Sequence, residues 1–364
     1  MKIFGRFRLA AFPSLGAGLA LNWLERVDPG AQRRIKGLRL VTAYALAAML
    51  GAMPEIAQGV SSRAMLSALA SGFALWAGVS EAQANRAASC RDLVLLSGAA
   101  AVGAAMYVLL APMLGPATSA WPELILATGA FLVGALRRFG VTGAGIGSQV
   151  YIGQLLAFGS NLTAADLPAV GLAGLVAAVA SIVPRMLSCP TERPAPAPSP
   201  VSTENAIVMG SQAAVAAVAI VSLNAAIGLT ESAWAITACT YVVSASAAST
   251  VDRVRRRIIG TAVGVPIGLA ALPVIADIPL LAWAAAAVAT VIYAMALPER
   301  YDVACGAFAF ILIDTLALAG EHSIRLLSSR AWETVLGGAA GLMACGAVLL
   351  LGRILSAVRV NSLR

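Results

Sequence analysis

Apolar residues run through this chain in long blocks, without the two-residue alternation of a half-buried strand. Each block is rich in alanine and glycine, and most approach the roughly 20 residues a helix needs to cross hydrocarbon. Twelve blocks are legible, at 38–53, 63–80, 93–111, 121–137, 141–159, 166–184, 205–228, 232–249, 258–275, 279–297, 303–320 and 331–352. Several are short for a core of about 30 Å, so broken or longer helices are expected at those places. Two stretches interrupt the pattern. Residues 1–37 are basic and mixed, with Pro13 inside an apolar run and Arg26, Arg33, Arg34 and Lys36 after it. No small-residue cleavage site follows that run, so it reads as a helix lying at the interface, with Trp23 near the headgroups, rather than as a signal peptide. Residues 185–204, RMLSCPTERPAPAPSPVSTE, lose hydrophobicity and gain proline, which makes a polyproline-like linker. The expected fold is an all-α polytopic membrane protein of about twelve transmembrane helices, arranged as two parallel six-helix repeats. Its divisions are a basic N-terminal interfacial segment (1–37), a first repeat (38–184), a Pro-rich cytoplasmic linker (185–204) and a second repeat (205–364).

Composition narrows the class. The chain is 60% hydrophobic and only 12% charged, against roughly 25% charged in soluble domains. An ordinary soluble protein is excluded, and the missing alternation argues against a transmembrane β-barrel. The net charge of +8 is accounted for by basic cytoplasmic loops. No basic patch is interleaved with base-stacking aromatics, so nucleic acid is not an expected partner. Cys90, Cys189, Cys239, Cys305 and Cys345 are scattered without metal-ligand spacing, so neither a metal site nor a disulfide framework is expected. One histidine, His322, and no HExxH, GxSxG or Walker loop leave no basis for an enzyme, and no cofactor is implied.

An internal echo supports duplication. At one constant offset Arg91 falls on Arg253, Gly98 on Gly260, Trp121 on Trp283, Thr128 on Thr290, Arg138 on Arg300 and Phe139 on Tyr301. Six spans per repeat leave both repeats facing the same way. With the N-terminus inside, all of the 25 lysines and arginines except Arg63, Arg325 and Arg330 fall on the cytoplasmic side. Trp121, Trp234, Trp283 and Trp332 then begin spans at the outer side and read as an outer aromatic belt.

The stretch DRVRRRIIGTAVGVPIGL (252–269) sets arginines directly before a run with Gly260, Gly264 and Gly268 on one helix face. Such a face lets another helix approach closely in lipid. The pattern R-x-x-G-T-x-x-G is carried by Arg257, Gly260, Thr261 and Gly264, and RAWETVLGGAAGL opens the last helix. In these features the chain resembles the fusaric acid resistance (FUSC-like) family, whose relatives are called aromatic acid exporters. The resemblance implies a six-helix membrane unit, often duplicated. Many members carry a large cytoplasmic domain, where this chain has only the short linker.

Candidate chemistry sits mostly in the second repeat. Asp314, in FAFILIDTLALAG, places a carboxylate mid-span in the second repeat's fifth helix, which costs several kcal/mol and marks either a proton-coupling acid or a structural one bonded to a neighbouring helix. The matching region of the first repeat offers Gln149, Tyr151 and Gln154, so a cavity between Gln154 and Asp314 is expected. Glu333 opens the last span beside Arg330, where it suits the helix dipole, while Arg330 pairs with it or attracts an anion. Arg91, Arg137, Arg138, Arg253, Arg255, Arg256, Arg257 and Arg300 set topology and touch lipid headgroups. Arg138 and Arg300, each followed by an aromatic (Phe139, Tyr301), could also hold an aromatic carboxylate by pairing and stacking.

These features point to a multi-pass protein of the bacterial inner membrane with both termini cytoplasmic. The expected activity is export of small organic anions, aromatic carboxylic acids among them, with proton coupling. An anion channel of the same fold, a non-transporting scaffold and a major-facilitator-like transporter are the alternatives. The last rests on the echo of D-R-x-G-R-R in DRVRRR, with Arg255 in place of the glycine. The expected partners are the bilayer, the organic anion, and a second copy of the chain or a periplasmic efflux component. In a cysteine-free background, a cysteine at Ala195 should resist membrane-impermeant thiol reagents added outside, and one at Asp277 should react. The reverse at either position overturns the orientation.

Overall fold

The computed structural model describes residues 28–83, 85–116, 118–188, 201–244, 246–297, 299–318 and 323–362. They form twelve α-helices. The first six are α1 (Gln32–Ala52), α2 (Arg63–Ser80), α3 (Arg86–Leu114), α4 (Leu124–Ala135), α5 (Gly140–Gly159) and α6 (Leu167–Leu187). The next six are α7 (Thr203–Ile227), α8 (Ser232–Val242), α9 (Ala247–Asp277), α10 (Pro279–Ala296), α11 (Tyr301–Leu318) and α12 (Ile324–Ser362).

The starts follow local chemistry. Ser62, Asn85 and Ser202 cap α2, α3 and α7 by accepting from the amides of Met65, Ala87 and Asn205 at 3.3, 2.9 and 3.2 Å. Thr163 and Asp166 form a reciprocal capping box just before α6. Gly140, at φ 74°, turns the chain from the 3-10 segment Leu136–Phe139 into α5.

Among the described residues, nine helical stretches are long and apolar enough to cross a membrane, and Trp121–Gly159 counts as one of them although it contains both α4 and α5. The chain is a multi-pass membrane protein. The expectation of twelve comparable spans is therefore met in part. The block at 63–80 coincides with α2, but α2 and α8 lie outside the nine stretches. The expected span 232–249 is corrected most: α8 stops at Val242 after 11 residues, Val243 is extended, and α9 begins at Ala247 rather than 258. The last helix begins at Ile324, not 331. Arg185, expected at the head of the linker, lies in the last turn of α6, 1% exposed, and donates to Ser89 Oγ at 2.7 Å. The interfacial segment falls largely, and the proline run almost wholly, outside the described residues.

Packing within each half follows one scheme. In the first half, α3 crosses α5, α5 packs on α4, and α6 lies against α1, α2 and α3. In the second, α9 crosses α11, α11 packs on α10, and α12 lies against α7, α8 and α9. The halves meet where α4 packs on α7 and α1 on α10. One hydrophobic core fills the α1–α2–α3–α6 region, and a second runs across the joint from Leu126, Ala130 and Tyr151 to Ala216, Ile236 and Ala340.

Backbone-to-backbone contact makes the main crossings. A Cβ on Gly260 or Gly264 would run into the carbonyl oxygens of Asp302 and Gly306 on α11. On the matching crossing of the first half, a Cβ on Gly103 or Gly153 would strike the carbonyls of Val150 and Ala100. Gly98, by contrast, has nothing within 4 Å of an added Cβ. Gly264→Ala should therefore lose about 1–3 kcal/mol through overpacking, read as a lower melting temperature in detergent, while Gly98→Ala should melt like the wild type. Equal melting of the two variants would sink this account of the crossing.

Candidate functional site

The seam between the halves gathers aromatic side chains that stand singly in the sequence. On α2, Trp76 comes from the first half; Trp234, Tyr293 and Phe308 come from α8, α10 and α11. Phe308 is the hub, with its ring centroid 5.6 Å from Trp76, 6.2 Å from Trp234 and 6.4 Å from Tyr293. Trp76 and Tyr293 meet edge-on at 6.3 Å. These separations lie within the 4.5–7 Å range of favourable ring pairs. Over Trp234 lies the guanidinium of Arg330 from α12, 3.6 Å from the ring centroid, a cation–π contact. Arg330 is 5% exposed, and its Nε and Nη1 have no hydrogen-bond partner among the described residues.

A second tier lies along the same face of α8, since Trp234, Thr237 and Tyr241 are three and four residues apart. Tyr151 of α5 stands edge-on to Tyr241 at 5.8 Å and shares a 2.8 Å hydroxyl hydrogen bond with Thr237. Ser148 and Tyr241 share another at 2.7 Å. Below them Arg257 of α9 donates to the Tyr301 hydroxyl at 3.2 Å, while its Nε has no partner among the described residues. Arg137 and Arg257 both lie within electrostatic reach of Tyr241. The packed rings thus lie between two guanidinium groups, Arg330 at one end and Arg257 at the other.

At the Arg330 end the seam is closed by buried carboxylates. Glu333, 0% exposed, accepts from the Glu231 amide at 2.9 Å through Oε1, and its Oε2 has no partner among the described residues. Glu123, just before α4, accepts from Asn224 and Ser232 at 2.7 Å each and so ties α4 to α7 and α8.

The structure distributes the residues singled out from sequence. Tyr151, Tyr301, Arg257 and Arg330 reach the seam. Gln149 supports it from behind, donating to the Trp76 carbonyl at 2.7 Å and to Ser80 at 2.9 Å. Gln154 donates to Thr128 at 3.1 Å, and neither oxygen of Asp314 has a hydrogen-bond partner among the described residues, so no bond joins the two. Asp314 is 1% exposed, but it stands four residues from the end of α11 rather than mid-helix. Glu333 lies in the third turn of α12, so the first-turn dipole reading is corrected. Arg138 stacks on Phe139 at 4.5 Å, and Phe139 is 62% exposed on the surface. Arg300 is exposed and pairs with Asp302 at 3.2 Å, which raises its guanidinium pKa, while Arg33 holds the exposed Glu299 carboxyl below its usual range. Thr261 is buried in α9 beside Gly260. Trp121, Trp283 and Trp332 are about half exposed, but Trp234 faces inward and leaves the expected belt. His322 lies outside the described residues. Sequence reasoning missed Trp76, Tyr293, Phe308 and Tyr241; the one usable signal was the Trp234–Thr237–Tyr241 spacing on a short helix. Among the described residues no cluster of three or more His, Cys, Asp or Glu could hold a metal ion.

Residues 213–344 match the family described as Fusaric acid resistance protein-like. The match runs from within α7 to within α12 and contains every second-half residue of the seam. No curated protein and no solved structure matches the chain.

The geometry gives Glu123 a measurable role. Glu123→Ala leaves Asn224 and Ser232 without their shared acceptor, and loss of about 2–4 kcal/mol is expected from two charge-assisted bonds in a buried place. The check is thermal unfolding in detergent, where wild-type melting of the variant would contradict the geometry.

Proposed function

We propose that the protein is a transporter that moves small organic anions outward across the bacterial inner membrane, aromatic carboxylic acids among them, through the seam between its halves. One observation carries the reading: a buried guanidinium, Arg330, lies on Trp234 with two nitrogens unpartnered among the described residues, beside a cluster of three more rings. An aromatic carboxylate offers that place both things it lacks. Its ring stacks among Trp76, Phe308 and Tyr293, and its carboxylate accepts from the guanidinium in a two-pronged bond. Arg257, at the other tier, offers a second station of the same kind. The family match to a group named for fusaric acid resistance supports efflux as the direction.

The same reading takes the two halves as six-helix repeats related by an axis along the membrane normal, with both termini cytoplasmic. The parallel pairing schemes, with α3 on α5 answered by α9 on α11, and α4 on α7 answered by α10 on α1, support this. Asp314 serves as the proton-coupling acid, because a carboxylate in a membrane helix with neither oxygen bonded among the described residues is costly unless it exchanges a proton.

Flux of radiolabelled benzoate in proteoliposomes tests the proposal, with and without a proton gradient. Arg330→Gln should lower flux by about tenfold or more, the loss of one charge-assisted pair. Arg330→Lys should not restore it, since an ammonium lacks the planar fork. Asp314→Asn should lose gradient-driven accumulation and keep exchange. Wild-type flux in well-folded Arg330→Gln overturns the seam as the path, and wild-type accumulation in Asp314→Asn removes the coupling role.

A further inference from the structure

The outer face of the second half carries a groove of about 650 Å³ between α9, α10 and α11, within the ~300–1,000 Å³ range of small-molecule sites. Its origin is the packing: α9 and α10 each lie on α11 but scarcely touch one another. Gly306 of α11 therefore lies half-buried at the floor, Ile259, Val263 and Ile267 form one wall, and Val288 and Ile292 line the other. The lining is apolar except at one end, where Asp302 stands.

Just beyond that end the charge changes. Arg255 and Arg256 are one helical turn before Ile259 and Gly260, on the same line of α9. Arg255 is exposed with no hydrogen bond or ion pair among the described residues. Arg256 is held by Asp252 at 2.8 Å and by the Glu299 carbonyl at 3.1 Å. Arg300 pairs with Asp302 itself at the mouth. Asp252 and Asp302 each hold one of these arginines, Arg255 is left without a carboxylate partner among the described residues, and the apolar slot leads directly away from it.

We propose that this groove is a binding site for an anionic phospholipid, with one acyl chain lying between α9 and α10 and the phosphate at Arg255 and Arg256. Basic pockets between membrane helices favour anionic headgroups in this way. A second copy of the chain fits the place less well. The glycine face of α9 that would admit another helix is already filled by the α11 backbone at Gly260 and Gly264. What remains open is a narrow slot suited to a flexible chain.

Native mass spectrometry of the purified protein tests the site, with phosphatidylglycerol and phosphatidylcholine of identical acyl chains added in turn. The wild type should retain phosphatidylglycerol in preference to phosphatidylcholine. The double variant Arg255→Gln, Arg256→Gln should reduce that retention roughly tenfold or more. Val288→Trp fills the groove from its exposed wall and should reduce retention of both lipids, with an unchanged elution profile showing that the fold survives. Equal retention of the two lipids by the wild type overturns the headgroup assignment. Unchanged retention in both variants overturns the site. A dimer mass that Val288→Trp dissolves assigns the groove to a second copy instead.

Discussion

The rest of the structure depends on how closely α9 can approach α11. Lipid tails are as apolar as leucine, so no hydrophobic drive joins helices within the bilayer. Contact must come from surfaces that fit, and the closest fit is backbone on backbone. Gly260 and Gly264 supply it, with the carbonyls of Asp302 and Gly306 lying where side chains would otherwise stand. That approach sets the position of α11, and with it the places of Tyr301, Cys305 and Phe308 along its inner face. It also sets the distance between α9 and α10 on the other side. Both the ring cluster in the seam and the open slot at the lipid face follow from one close crossing.

The polar groups inside the bundle are spent on joints between helices. Glu123 links α4, α7 and α8; Glu333 holds the N-cap residue just before α8; Gln149 bonds the end of α2. Each joint involves either α2 or α8, the helices that stand next to the seam. Asp92 does similar service at the other end of the first half, accepting from Gln83 at 2.9 Å and Thr142 at 3.0 Å. Buried polar groups with full sets of partners hold a unique arrangement, and those with incomplete sets are the places where a ligand or a proton can enter. Among the described residues Glu123 is of the first kind, with both oxygens bonded, while Arg330, Arg257 and Asp314 are of the second, and Glu333, Gln149 and Asp92 each keep one oxygen without a hydrogen bond.

Helix existence was legible in the sequence because bilayer thickness imposes a length on apolar blocks, and the bounds of α2, α5, α10 and α11 fall within two residues of that reading. The glycine spacing at Gly260, Gly264 and Gly268 correctly marked a packing face, since small residues at a four-residue interval have few other uses in lipid. The break after Val242 was not legible. Val243, Ser244 and the serines that follow are apolar or small, so hydropathy runs through them without a mark, and only the tertiary bonding of Ser244 to Thr250 shows the turn. The candidate site was half legible for the same reason. Arg257, Arg330 and Tyr301 stand out by charge or by repetition, but Trp76, Tyr293 and Phe308 sit alone in apolar helices. Which face of a helix meets its neighbour is decided by packing in three dimensions, and a membrane helix that is apolar all round carries no moment to reveal it.

The shortness of α8 has an electrical consequence. Eleven residues at about 1.5 Å each give roughly 16 Å of helix, set in a hydrocarbon layer of about 30 Å. Where polar surroundings reach both of its ends, the membrane voltage falls over that shorter distance, and the local field is about twice that of the surrounding lipid. The work done on one elementary charge is unchanged, about 2.3 kcal/mol per 100 mV, but it is delivered along the stretch from Trp234 to Tyr241. On the proposed reading, an anion passing beside α8 from a negative interior is driven outward over that short stretch, where the field is steepest.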